Sequence, residues 1–251
     1  SEDVKNKVSM FCNVPREAVI EEADVEYTIY EVPEELKQGG LDDMICQLLH
    51  LPNKNVDLTD WHDIVETVKN PKGIVTIGIV GKYLEHQDAY KSVFESLHHG
   101  AIAHGYAVNI VSIEADKIVD NGKTREEALQ GCDGYLVPGG FGERGWKGKL
   151  YTAQHCREKM VPYLGICLGM QTMAIEFARN VLGLDNANST EIDADTPDPI
   201  ISLLSEQEAV QDLGGTMRLG AYPCVLDKDS KAFKAYASSE ISERHRHRYE
   251  F

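Results

Sequence analysis

Tyr163-Leu164-Gly165-Ile166-Cys167-Leu168-Gly169 passes from a short apolar run into a helical pattern through a turn flanked by two glycines. Residues 163–166 read as a buried strand and residues 170–181 as a helix. The cysteine therefore sits where a G-x-S-x-G elbow would hold its nucleophile, with sulfur in place of oxygen. Moving outward, residues 134–137 form a second short apolar strand, and a helical segment over 151–160 separates the two. Upstream lie a strand over 108–113 and a helix with Tyr90, Val93, Phe94, Leu97 and Ala101 on one face. A buried-type strand over 74–80 precedes that helix. Strands alternating with helices predict an α/β fold: a mostly parallel, doubly wound sheet with flanking helices. Chemistry on such sheets gathers at the carboxyl ends of the strands, which here are the turns after Val137 and Ile166.

Before residue 74 the pattern differs. Residues 8–14 read as a β-rich strand closed by Pro15, whose partners would lie upstream. Leu41, Met44, Ile45, Leu48 and Leu49 have helical spacing between Gly39-Gly40 and Pro52. A second short helix carries Trp61, Ile64, Val65 and Val68 and stops at Asn70-Pro71. The expected division is a piece of a second α/β domain over 1–55, a linker over 56–72 and the main domain over 73–251, with a boundary near Lys72. A start at Ser1 without Met and a stop at Phe251 are read as cut ends.

Of the 251 residues, 42% are hydrophobic, enough for a packed core. The formal net charge of −16 repels nucleic acid and anionic lipid, so neither is expected as a partner. No run approaches the roughly 20 apolar residues of a membrane span, and the first residues lack the features of a secretory signal. The six cysteines (Cys12, Cys46, Cys132, Cys156, Cys167 and Cys224) are scattered without a C-x-x-C pair. That pattern fits reduced thiols and supplies no metal motif.

At the start of a helix, Cys167 is favoured as thiolate by the helix dipole, and the Leu168 N–H is poised as an oxyanion donor. Pro138-Gly139-Gly140-Phe141-Gly142, at the previous strand end, is placed to offer a second donor, because glycine lets backbone N–H groups approach a developing charge. Read together, the two turns point to acyl transfer through a thioester. Read singly, each fits a small buried residue or an ordinary tight turn. Seven of the nine histidines (His50, His62, His86, His98, His99, His104 and His155) show no partner in the sequence. The run Arg244-His245-Arg246-His247-Arg248, if a strand, places three arginines on one face and two histidines on the other. That is either a solvated basic patch or a site for a carboxylate or phosphate.

These segments, together with Gly81-Lys82-Tyr83, Asn188-Ser189-Thr190-Glu191 and Gly214-Gly215-Thr216-Met217-Arg218-Leu219-Gly220, resemble the CTP synthase family over essentially the whole chain. The resemblance implies a triad-glutaminase domain preceded by the end of an ATP-dependent synthetase (amidoligase) domain. The implied activity is amination of UTP to CTP with ammonia from L-glutamine. By the same resemblance Cys167 is the nucleophile, and Gly140, Leu168, Gly169, Met170 and Gln171 are glutamine-binding or oxyanion positions. Glu191 would meet the substrate ammonium, Arg248 its carboxylate, and Ala23, Asp24 and Val25 would contact ATP. It further implies ATP with Mg2+, GTP as activator, CTP as product, a homotetramer and a cytoplasmic location. Two departures stand out. No His-Pro pair occurs, so the family's His-Pro-Glu base is missing, and Trp146-Lys147 replaces a small or aliphatic residue followed by Glu. The glutaminase component of another amidotransferase, or a non-catalytic module, remains the alternative reading.

Overall fold

A computed structural model describes residues 2–53, 55–82, 84, 87–118, 122–204, 207 and 218–251. The chain forms two compact units, residues 1–77 with 85–111 and residues 78–84 with 112–251. The division between these units cuts through two strands, at residues 77/78 and 111/112.

The first unit begins with α1 (Glu2–Cys12), so the strand expected over residues 8–14 is a helix. Val4, Val8 and Phe11 repeat at helical spacing, and Glu2 and Asp3 suit the positive end of a helix dipole. Asn13, at φ 52°, ends the helix in the left-handed conformation that Asn tolerates. Short helices α2 (Val32–Gln38), α3 (Leu41–Leu48) and α4 (Thr59–Lys69) follow. Gly40, at φ 76°, makes the reversal between α2 and α3. The unit also holds the start of β1 (Ile74–Gly81), the helix α5 (Gln87–Ala103) and the start of β2 (Ala107–Glu114). Two histidines without visible sequence partners have them here. Tyr30 Oη bonds His99 Nε2, and His62 Nδ1 lies 3.3 Å from Glu34 Oε1.

In the second unit, the ends of β1 and β2 are followed by α6 (Gly122–Ala128), β3 (Gly134–Val137), α7 (Trp146–Lys159), β4 (Tyr163–Gly165) and α8 (Leu168–Asn180). The sheet order is β2-β1-β3-β4, with β3 and β4 parallel in the register Tyr135 to Tyr163 and Val137 to Gly165. This is the expected α/β architecture with a mostly parallel central sheet. Three strands, β5 (Ala187–Ser189), β6 (Asp198–Leu203) and β9 (Tyr249–Glu250), form a second small sheet. The ribbon of β7 (Arg218–Val225) and β8 (Glu240–Arg246), with α9 (Lys231–Tyr236) between them, forms a third.

One core cluster gathers Val80, Ile113, Leu129, Tyr135, Val137 and Cys156. A second packs Trp146 against Leu168, Ile175 and Ile201, so the unusual Trp146 is a core residue that anchors α7 on α8. The same helix pair buries Glu176, 3% exposed. Arg157 grips its carboxylate through Nε (3.0 and 3.1 Å) and Nη2 (2.8 Å), and Asn180 Nδ2 adds a bond of 3.0 Å. Paired this way, the buried charge is held rather than orphaned.

Candidate active site

Cys167 lies between β4 and α8 with φ 54° and ψ −111°. A non-glycine residue there is strained, as a nucleophile elbow requires. Close packing imposes the turn. A Cβ on Gly165 would come within 2.4 Å of the Gly169 carbonyl carbon, and one on Gly169 within 2.0 Å of the Val137 oxygen. The Met170 and Gln171 N–H groups both donate to the Cys167 carbonyl, at 3.0 and 3.1 Å. Tyr163 Oη, whose titration burial pushes upward, donates to the Gly169 carbonyl at 2.8 Å and fixes the first turn of α8 from below. Among the described residues the Leu168 N–H has no acceptor and Cys167 is exposed. The exposed cysteine and one N–H without an acceptor thus sit at the positive end of a 13-residue helix.

The glycine turn after β3 stands against this elbow. A Cβ on Gly139 would sit 3.3 Å from Cys167 Cβ and 3.8 Å from its Sγ. Two side chains hold the loop open. Lys82 Nζ donates to the Phe141 carbonyl at 2.5 Å, and the Gly142 N–H donates to Glu191 Oε1 at 2.8 Å. Of the residues anticipated from sequence, the structure therefore brings together Cys167, Gly140, Leu168, Gly169, Met170, Gln171 and Glu191.

Arg248 approaches through Gln171, whose Nε2 donates to the carbonyl of the adjacent Tyr249 at 3.4 Å. Arg248 Nη2 donates to the Gln207 carbonyl at 3.4 Å, while its buried Nε has no partner. A buried guanidinium N–H without an acceptor invites a planar anion. Ala23, Asp24 and Val25 lie in an irregular stretch of the first unit, with Ala23 and Asp24 exposed. Tyr83 and Gly214 to Met217 of the quoted motifs lie outside the described residues.

His245 and His247 do share a face, with Nδ1 to Nε2 at 3.1 Å and ring centroids 5.1 Å apart. With Glu250 they bring one ligand atom each within 4.8 Å of one another. The donor set suits zinc more than magnesium, and the adjoining Arg244 and Arg248 oppose a divalent cation and favour an anion. A separate cavity of about 870 Å³ is lined by Asp116, Arg144, Trp146, Lys147, Arg179 and Asn188. Cys167 and Gly140 are not on its wall, so volume does not mark the sulfur.

Lys149 is the site residue that sequence reading passed over. It is 1% exposed, with its ammonium beside Gly140. The signal was periodicity: Thr152, Ala153 and Cys156 define the buried face of α7, and one turn back that face reaches Lys149.

The family model for glutamine amidotransferase class-I matches residues 85–251, and that for the CTP synthase N-terminus matches residues 1–51. All 251 residues align with the CTP synthase of Protochlamydia amoebophila at 65% identity. The CTP synthases of Koribacter versatilis and Chlamydia felis align at 53% and 51%. The chain spans about half the length of these curated relatives, 45 or 46% of each. A solved structure, the glutaminase domain of Trypanosoma brucei CTPS with bound acivicin, is 39% identical with a TM-score of 0.62. That match covers 70% of this chain and 67% of the other.

Proposed function

The chain belongs to the class-I glutamine amidotransferase family, and from that premise we propose that it is the glutamine-hydrolysing part of a CTP synthase. In this reading Cys167 Sγ attacks the side-chain amide carbon of L-glutamine. The N–H groups of Leu168 and Gly140 receive the oxyanion, ammonia leaves, and water cleaves the resulting thioester to glutamate. Glu191 takes the substrate ammonium and Arg248 its carboxylate, while Gly169, Met170 and Gln171 shape the pocket floor. The observation that carries the reading is the strained Cys167 at the N-terminus of α8, packed against the Gly139-Gly140 turn. The exposed sulfur and the partnerless Leu168 N–H are consistent with attack and oxyanion capture.

The wider reaction is ATP-dependent amination of UTP to CTP by the released ammonia, activated by GTP, in a cytoplasmic homotetramer. For the synthesis of CTP itself, the support is the naming of the relatives that align with every residue of the chain. The division into residues 1–55, 56–72 and 73–251 agrees with family matches at 1–51 and 85–251. ATP and Mg2+ supply phosphoryl activation of UTP when bound. Magnesium is held by one or two carboxylates together with phosphate oxygens and water, and the close donor set of His245, His247 and Glu250, being imidazole-rich, is not of that type. The sequence has no His-Pro pair, and His245 and His247 bond each other rather than Cys167.

The test uses the CTP synthase polypeptide that carries this chain. Cys167→Ala abolishes CTP formation from glutamine and spares formation from free ammonia. Loss of both activities, or of neither, overturns the assignment.

A further inference from the structure

We propose that Lys149 is a positioning residue for the Cys167 reaction: its ammonium, held under the Gly139-Gly140 turn, is the counter-charge for the thiolate and for the oxyanion formed from it. The inference rests on reading Cys167 as the nucleophile.

Lys149 lies in the first turn of α7, its N–H donating to the Gly145 carbonyl at 3.1 Å, and its side chain is among the largest that are fully buried. Its Nζ is 3.4 Å from the point a Cβ on Gly140 would occupy. Leu168 Cδ2 at 3.6 Å and Lys82 Cε at 3.8 Å ring the same point. Across the glycine pair, Cys167 Sγ is 3.8 Å from the corresponding point on Gly139. Lys149 and Cys167 therefore both pack on the Gly139-Gly140 turn, which carries no side chain of its own.

The charged groups around Lys149 have other engagements. Lys82, from the end of β1, donates to Phe141. Asp116, after β2, pairs with Arg144 Nε at 2.6 Å, and Glu191, after β5, accepts from Gly142. Among the described residues the Lys149 ammonium makes no hydrogen bond or ion pair. Burial first, and the like charge of Lys82 second, push its titration down to about 8, while Asp116, Cys167 and Glu191 pull the other way. A cation largely removed from water and without an acceptor is destabilising on its own. Negative charge arising at Cys167 and the oxyanion position supplies what it lacks, so the interaction strengthens along the reaction path. A purely structural position on this face would be served better by Met or Leu.

The experiment measures the rate of Cys167 carbamidomethylation by iodoacetamide from pH 5 to 10 in the intact chain, for wild type, Lys149→Met and Lys149→Gln. Circular dichroism confirms the fold of each. The expected result is that the pH of half-maximal rate rises by about one unit in both variants, with about a tenfold slower reaction below that midpoint. Folded variants whose profiles superimpose on the wild type overturn the proposal. Wild-type Cys167 reacting no faster than the exposed Cys12 overturns instead the nucleophile reading beneath it.

Discussion

Gly169→Ala puts the elbow geometry to a quantitative test. The added Cβ would lie 2.0 Å from the Val137 carbonyl oxygen, 2.8 Å from its carbonyl carbon and 3.0 Å from its Cβ. Carbon and carbonyl oxygen approach to about 3.3 Å at closest, so β3 and the first turn of α8 must separate by about 1.3 Å. The obstacle is sheet backbone, whose carbonyl cannot rotate away. Overpacking of this kind costs about 3 kcal/mol, which for a chain of this size lowers the melting midpoint by about 6–12 °C. A displacement near 1 Å between catalytic groups costs about 100-fold in rate. Iodoacetamide labelling of Cys167 and thermal melts by circular dichroism read both quantities. Gly100→Ala is the matched control: Gly100 lies in α5 with nothing within 4 Å of its Cβ position, so alanine there is neutral or stabilising by up to about 1 kcal/mol. A Gly169→Ala protein that melts with wild type and labels at the wild-type rate refutes the argument that close backbone packing enforces the elbow.

Arg157→Met leaves the buried Glu176 carboxylate with only Asn180. Because Arg157 is itself about one-third exposed, a loss of about 2 kcal/mol is expected by urea denaturation. Lys149→Met melts higher than wild type at pH 7. Folding depresses the lysine titration from 10.5 to about 8, so its penalty is complete below pH 8, and the gap between the proteins closes as pH rises toward 10.5. Burial pushes the Cys156 thiol up to about 12, so Cys156 resists alkylation at pH 8 in the folded chain and reacts only once urea unfolds it.

Much of the second unit was legible because its signals are local. Short apolar runs ended by glycines gave β1, β3 and β4 to within a residue or two, and the Gly-x-Cys-x-Gly turn gave Cys167 its place. The error at residues 8–14 came from weighing β-branched and aromatic content over spacing, although Val4, Val8 and Phe11 already marked one helical face. What stayed illegible depends on distant partners. Nothing in the sequence joins Arg157 to Glu176, Glu191 to the Gly142 N–H, or Tyr30 to His99. Lysine in a helical pattern reads as solvated, so the burial of Lys149 emerged only once Gly140 and Leu168 closed over it. Trp146 read as a loop departure, yet it fills the gap between α7, α8 and β6.

Mapping the adduct after incubation with acivicin, the compound bound in the solved trypanosomal structure, tests the central assignment most directly. Peptide mass spectrometry should place a single adduct on Cys167, suppressed by excess L-glutamine and absent from Cys167→Ala. An unmodified Cys167, or labelling spread over Cys12, Cys46 and Cys224 regardless of glutamine, would contradict the account.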